Sequence, residues 1–99
     1  MSAGDFLRDS PIYQEVLAEG FKKGLEKGRR EGVIEGLRQT LLDIIFERFP
    51  EIIILVKKAS DSIDDSYILQ RLVVKMGTLP TVEEAKRLLL ALSQEENDI

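Results

Sequence analysis

The chain has no cysteine and no histidine. Without thiolates and imidazoles, a zinc or haem site has lost its usual ligands, and none is expected. Cysteine nucleophiles and the commonest general base are missing as well. No disulfide can form, and nothing in the composition points to secretion. Residues 1–10 lack the basic-then-apolar pattern of a signal peptide. No apolar run is longer than that of 52–56, which is far shorter than the ~20 residues a membrane helix needs. The net charge of −4 is too mild to demand a polyanionic partner for the chain as a whole. These absences predict a soluble, cytoplasmic chain with no metal, cofactor, membrane or small-molecule substrate.

What remains is a single small domain of 99 residues with an ordinary hydrophobic fraction of 43%. A chain this short buries a limited share of its surface, and partners often supply the rest. Residues 1–10 read as a flexible lead-in, although Phe6 and Leu7 could pack on something. Ser10 followed by Pro11 reads as a helix start, with serine as cap and proline at the first helical position. From there to Phe49 the sequence has no further proline and no turn cluster.

Glycine is the only interruption, and it is periodic. Gly20, Gly24, Gly28, Gly32 and Gly36 fall on every fourth residue. Between them stand helix formers, mostly charged. On a helix, each glycine is turned about 40° from the last. Together they draw a smooth groove winding slowly round the cylinder. A glycine inside a helix costs about 0.8–1 kcal/mol relative to alanine, so five cost about 4–5 kcal/mol. A second helix backbone lying close in the groove would offset that cost, and the drift favours a right-handed crossing. The other reading is a flexible glycine linker. The strict spacing, the lack of serine and proline, and the pairs Glu26–Arg30 and Lys27–Glu31 at i,i+4 argue for a helix.

Beyond Gly36, the residues Leu37, Leu41, Ile44, Ile45 and Phe49 follow helical spacing, and Leu42 and Phe46 widen the apolar face. Asp43, Glu47 and Arg48 are expected to face out. A single helix over 11–49 would be about 58 Å long, against a radius of gyration of about 13 Å for a compact domain of this size. It must pair with another chain or break within the glycines and fold back. Pairing is preferred.

Residues 52–56 and 68–74 are rich in β-branched side chains and could form strands. Two isolated strands make a marginal sheet, so helices are expected instead. Ile68, Leu69, Leu72, Val73 and Met76 suit an amphipathic helix, with Ser62 as its cap and Gly77 then Pro80 as its end. Thr81-Val82-Glu83-Glu84 reads as a capping box opening a last helix, whose face is Val82, Ala85, Leu88, Leu89 and Leu92. The expected organisation is a lead-in over 1–10, a long helix over 11–49, a helical cluster over 50–92 and a disordered tail over 93–99. The fold class is all-α: a long glycine-striped helix, then a small bundle of about three short helices, paired as an oligomer.

The acidic clusters invite a catalytic reading: Asp43 with Glu47, Asp61 with Asp64 and Asp65, and Glu83 with Glu84. None has a nucleophile or base partner at a recognisable spacing, so no enzyme is expected. Solvated faces, a favourable helix N-terminal turn and a cap explain them. The glycines fit neither a dinucleotide fingerprint nor a phosphate loop. Lys22, Lys23, Lys27, Arg29 and Arg30 form a local basic patch with only Glu26 among them. It could grip phosphates, but no aromatic residue is interleaved. Residues 52–56 read as core, or as a partner-binding surface completed by a second chain.

The segment Ser10-Pro11-Ile12-Tyr13-Gln14-Glu15-Val16-Leu17-Ala18-Glu19-Gly20, then the glycine repeat, then Leu41-Leu42-Asp43-Ile44-Ile45-Phe46-Glu47-Arg48-Phe49-Pro50 resembles a known tail. It is similar to the C-terminal region of the putative transposases and recombination-promoting nucleases of the PD-(D/E)XK type. The resemblance covers most of the chain, and only its first half is distinctive. It implies a helical accessory tail. The nuclease carboxylates of that family lie upstream of the matched region, so no catalytic residue carries over. Pro50 stands where such tails usually have glycine. Glycine-every-fourth helices also occur in a flagellar export-ATPase regulator and in a cytosolic iron–sulfur delivery adaptor, both interaction proteins.

The sequence thus predicts a homodimer joined through Gly20, Gly24, Gly28, Gly32 and Gly36 and anchored by Leu37, Leu41, Ile44 and Ile45. The alternatives are a nucleic-acid accessory arm using Lys22, Lys23, Lys27, Arg29 and Arg30, and an adaptor pairing with a different protein's helix.

Overall fold

A computed structural model describes residues 10–97, with the side chains of 95–97 left aside. The expected lead-in, including Phe6 and Leu7, lies outside the described residues except for Ser10. Every regular element among the described residues is helical. The first, α1, spans Pro11–Arg48. The Ser10 carbonyl accepts the Gln14 N–H at 3.1 Å, as expected of a residue at the helix mouth. At the other end, Phe49 leaves helical geometry at φ −138° and ψ 61°, and Pro50 opens a single 3₁₀ turn, Pro50–Ile52. The residue before a proline is pushed out of the helical region, which accounts for the break.

The β-branched stretch is helical, as preferred from the sequence. Helix α2 runs Ile53–Asp61, α3 Ser66–Thr78 and α4 Val82–Asn97. The last extends past the expected end at Leu92, because Gln94, Glu95 and Glu96 are helix formers and no glycine or proline intervenes.

Two of the expected boundaries are corrected. Ser62 does not cap α3. It lies at the end of α2, where its Oγ donates to the Ala59 carbonyl at 2.8 Å. Asp65 is the cap, its carboxylate accepting the N–H groups of Tyr67 and Ile68 at 2.8 and 3.1 Å. Gly77 does not terminate α3 either. It is inside the helix, and no described glycine has positive φ. The chain leaves the helix at Leu79, extended at ψ 133°, because Pro80 comes next. Thr81 behaves as expected: its Oγ accepts the Glu84 N–H at 3.3 Å.

The chain divides into two units at Gly32 and Val33. Within 33–97, one core gathers Leu41 and Ile45 from α1, then Phe49, Ile52, Val56 and Ile63, then Leu69, Leu72 and Met76 from α3, and Ala85 and Leu89 from α4. Phe46, expected to widen the apolar face, is exposed, as is Ile68. The buried Ser60 hydroxyl donates to the Lys57 carbonyl at 3.0 Å. No buried side-chain nitrogen or oxygen among the described residues lacks a partner.

Two arginines fasten the short helices to α1. Arg38 donates from Nε to the Ser60 carbonyl at 3.0 Å and from Nη2 to the Ile63 carbonyl at 2.8 Å. It also pairs with Asp64 at 3.0 Å. Its positive fork sits at the carbonyl end of α2, where partial negative charge accumulates. Arg48 repeats the device on α3, donating to the Met76 carbonyl and, at 2.8 Å, to the Leu79 carbonyl. Its guanidinium also lies 4.7 Å from the Phe49 ring centre. Arg48 therefore does more than face out, as the sequence implied.

Candidate self-association surface

Residues 10–32 present a different situation. None is buried. Ile12, Val16, Leu17, Phe21 and Leu25 are all at least half exposed, Ile12 and Phe21 at 71% each. A Cβ added at Gly20, Gly24, Gly28 or Gly32 would meet nothing within 4 Å. The same holds at Gly36 in the second unit. The glycine row is helical and bare, so nothing in the described chain offsets its helix-propensity cost.

Sequence reasoning fixed on the glycines and overlooked the row beside them. Tyr13, Leu17, Phe21 and Leu25 also recur every fourth residue, with Arg29 next in line. On a helix, rows at i and i+3 are neighbours about 60° apart. The apolar row therefore runs alongside the glycine row, with Leu17, Phe21 and Leu25 each beside the glycine three positions on. On the other flank of the glycines runs a charged row: Glu15, Glu19, Lys23, Lys27 and Glu31. Within it, Lys27 and Glu31 approach to 3.9 Å with both side chains exposed, a contact of little energetic weight. The signal was present in the sequence as a four-residue pattern of apolar, mixed, charged and small positions.

The residues expected to anchor an interface divide. Leu41 and Ile45 are fully buried in the chain's own core, and Leu37 and Ile44 are half-buried. Leu41 and Ile45 thus have no surface to offer a partner, because α2, α3 and α4 already cover them. Residues 52–56 divide likewise: Ile52 and Val56 are core, whereas Ile54 and Leu55 are exposed.

Lys22, Lys23, Lys27, Arg29 and Arg30 are all exposed, but they do not form one face. Helical geometry puts Lys22 and Arg29 on one side and Lys23, Lys27 and Arg30 on another. Glu19 and Glu26 lie between the two groups, which breaks the positive field a phosphate backbone would meet.

Four of the acidic residues have structural tasks. Asp43 accepts from Gln39 at 3.1 Å, Lys57 pairs with Asp61 at 3.0 Å, Asp64 holds Arg38 and Asp65 caps α3. Among the described residues no group of three or more potential ligands could hold a metal ion, and no helix is long and apolar enough to cross a membrane. An apolar cleft of about 400 Å³ lies beside α2 and α4, lined by Leu55, Ala59, Ile63, Ile68, Leu89 and Leu92 among others. Its polar lining residues are Lys58, Ser62 and Ser93. No protein-family model matches the sequence, and no curated protein or solved structure similar to it was found.

Proposed function

We propose that this chain is a non-enzymatic association module in which residues 10–32 join a second copy while residues 33–97 fold on their own core. The observation that carries this reading is the bare apolar row beside an open glycine row. Isolated helices with no apolar face covered are marginal in water. This one bears four glycines within 10–32, a burden of about 3–4 kcal/mol relative to alanine. A helix with those properties needs a partner surface, and the small residues let a second backbone come near. In line with its resemblance to nuclease-associated tails, the module is read as an accessory tail and not as a catalytic unit.

Gly28→Leu tests the proposal. A Cβ at Gly28 meets nothing within 4 Å in the chain and the change favours the helix, so a loss of mass would come from a bulky side chain crowding a partner and not from a damaged fold. Measured by light scattering, the variant should weigh less than the parent at equal concentration. An unchanged mass counts against the glycine row as contact surface.

The exposed Lys22, Lys23, Lys27, Arg29 and Arg30 leave a second reading, contact with nucleic-acid phosphates, although Glu19 and Glu26 divide them. Retention on a DNA column at low salt, lost steeply as salt rises, is its expected signature. Free passage at low salt removes it.

A further inference from the structure

We infer that two copies of residues 10–32 pair antiparallel, centred on Phe21, and this rests on the self-association proposed above. The two flanks of the glycine row set the orientation. In a parallel pair each flank of a helix faces the opposite flank of its partner, whereas in an antiparallel twofold pair each flank faces its own equivalent. With the glycine row at the centre, a parallel pair sets the exposed apolar row of one copy against the charged row of the other. An antiparallel pair sets apolar on apolar and charged on charged.

The charged row then decides the register. It reads Glu15, Glu19, Lys23, Lys27 and Glu31 along the helix, two acids, two bases and a last acid that falls level with Pro11 of the second copy in the register chosen here. Antiparallel pairing about Phe21 places Glu19 level with Lys23 and Glu15 level with Lys27 of the second copy. Every contact joins opposite charges, and twofold symmetry makes each occur twice. Sliding one copy by a four-residue step sets Glu15 against Glu31 and Lys23 against its own twin. A register centred on Arg29 also matches some charges. However, it faces Arg29 with its twin and brings Leu17 level with Leu41, which is already 0% exposed in the chain's own core.

The remaining rows agree with this centre. Leu17 lies level with Leu25, and Phe21 with Phe21 on the axis. Tyr13 lies level with Arg29, a pairing of ring and guanidinium. Along the central row the large residues Ile12 and Val16 precede the glycines. In the antiparallel register Val16 comes level with the gap between Gly24 and Gly28, and Ile12 with the gap between Gly28 and Gly32. Large side chains of each copy thus meet glycine gaps of the other, which accounts for glycine at one end of the row and not at both.

The natural absence of cysteine makes a direct test possible. Leu17→Cys and Leu25→Cys chains, one isotopically labelled, are mixed, refolded together and oxidised, and the cross-linked species are weighed. Both positions are at least half exposed, so neither change disturbs a core. The mixed 17–25 disulfide should dominate, with few 17–17 or 25–25 products. Predominant 17–17 and 25–25 products would establish a parallel pair and overturn the inference. A statistical mixture would overturn it as well. Light scattering on the reduced samples separates the two levels: a dimer with the wrong cross-links sinks the register alone, while a monomer sinks self-association and the register with it. Charge exchange gives a second readout. Glu19→Lys should weaken the dimer by about tenfold, as two attractive contacts become repulsive, and adding Lys23→Glu should restore it. No restoration contradicts the register.

Discussion

One spacing meets two fates in this molecule. Within 10–32, the row Tyr13, Leu17, Phe21 and Leu25 is largely exposed. Within 33–97, the same four-residue spacing continues as Val33, Leu37, Leu41, Ile45 and Phe49, and its last three members are core. The difference comes from the chain beyond Phe49. There, a proline turn and three short helices supply apolar faces that cover the second stretch, and Arg38 and Arg48 secure two of those helices by their carbonyl ends. Nothing in the described chain covers the first stretch. An apolar row therefore predicts burial without predicting by what. Its own chain can bury it, or another copy can.

The largest effect that would sharpen this contrast is Leu41→Ala against Phe21→Ala. Leu41 has no exposed surface, so its truncation should destabilise the 33–97 core by about 2–5 kcal/mol, read by denaturant unfolding. Phe21→Ala should leave that unfolding transition in place and instead lower the mass in solution. Equal effects of the two on core stability would erase the distinction between the units.

Next in size is Arg38→Ala. Its side chain is 18% exposed and bonded to carbonyls at the end of α2. Losing those charge-assisted bonds should cost about 1–2 kcal/mol in denaturant unfolding. Arg38→Lys should recover only part of that, because an ammonium cannot make the forked contact. No loss in either variant would mean the clamp carries no weight.

Gly24→Ala probes the other unit through a sign. In a lone chain the new methyl meets nothing within 4 Å and should stabilise the helix by about 0.8–1 kcal/mol. Across a close helix pair the same methyl crowds the partner and should weaken association. Far-UV circular dichroism with dilution distinguishes the two. The smallest effect is Asp65→Ala, which removes the cap of α3 and should lower the unfolding free energy of the 33–97 unit by about 1 kcal/mol.

Much of the fold was legible because its signals are local. Ser10-Pro11 and Thr81 mark helix starts through contacts a few residues away. Leu69, Leu72 and Met76 reveal a buried face by spacing alone. Ser62 was read as the cap and Asp65 was missed, since both are good capping residues and only the end of α2 assigns them different roles. Of Gly77 and Pro80, read together as the end of this helix, Pro80 alone ends it, acting through the residue before it. The arginine clamps were illegible, because each joins residues more than twenty positions apart and depends on where another helix ends. On the candidate surface, the glycines were found and their apolar neighbours missed. Attention to the conspicuous small residue hid the equally regular row at i+1.

The central claim is that residues 10–32 find their missing cover in a second copy. Absolute molar mass by light scattering on a size-exclusion column tests it most directly, against a chain mass of 11.2 kDa. The account predicts twice that mass, falling toward the single-chain value on dilution. A single-chain mass at every concentration would contradict it.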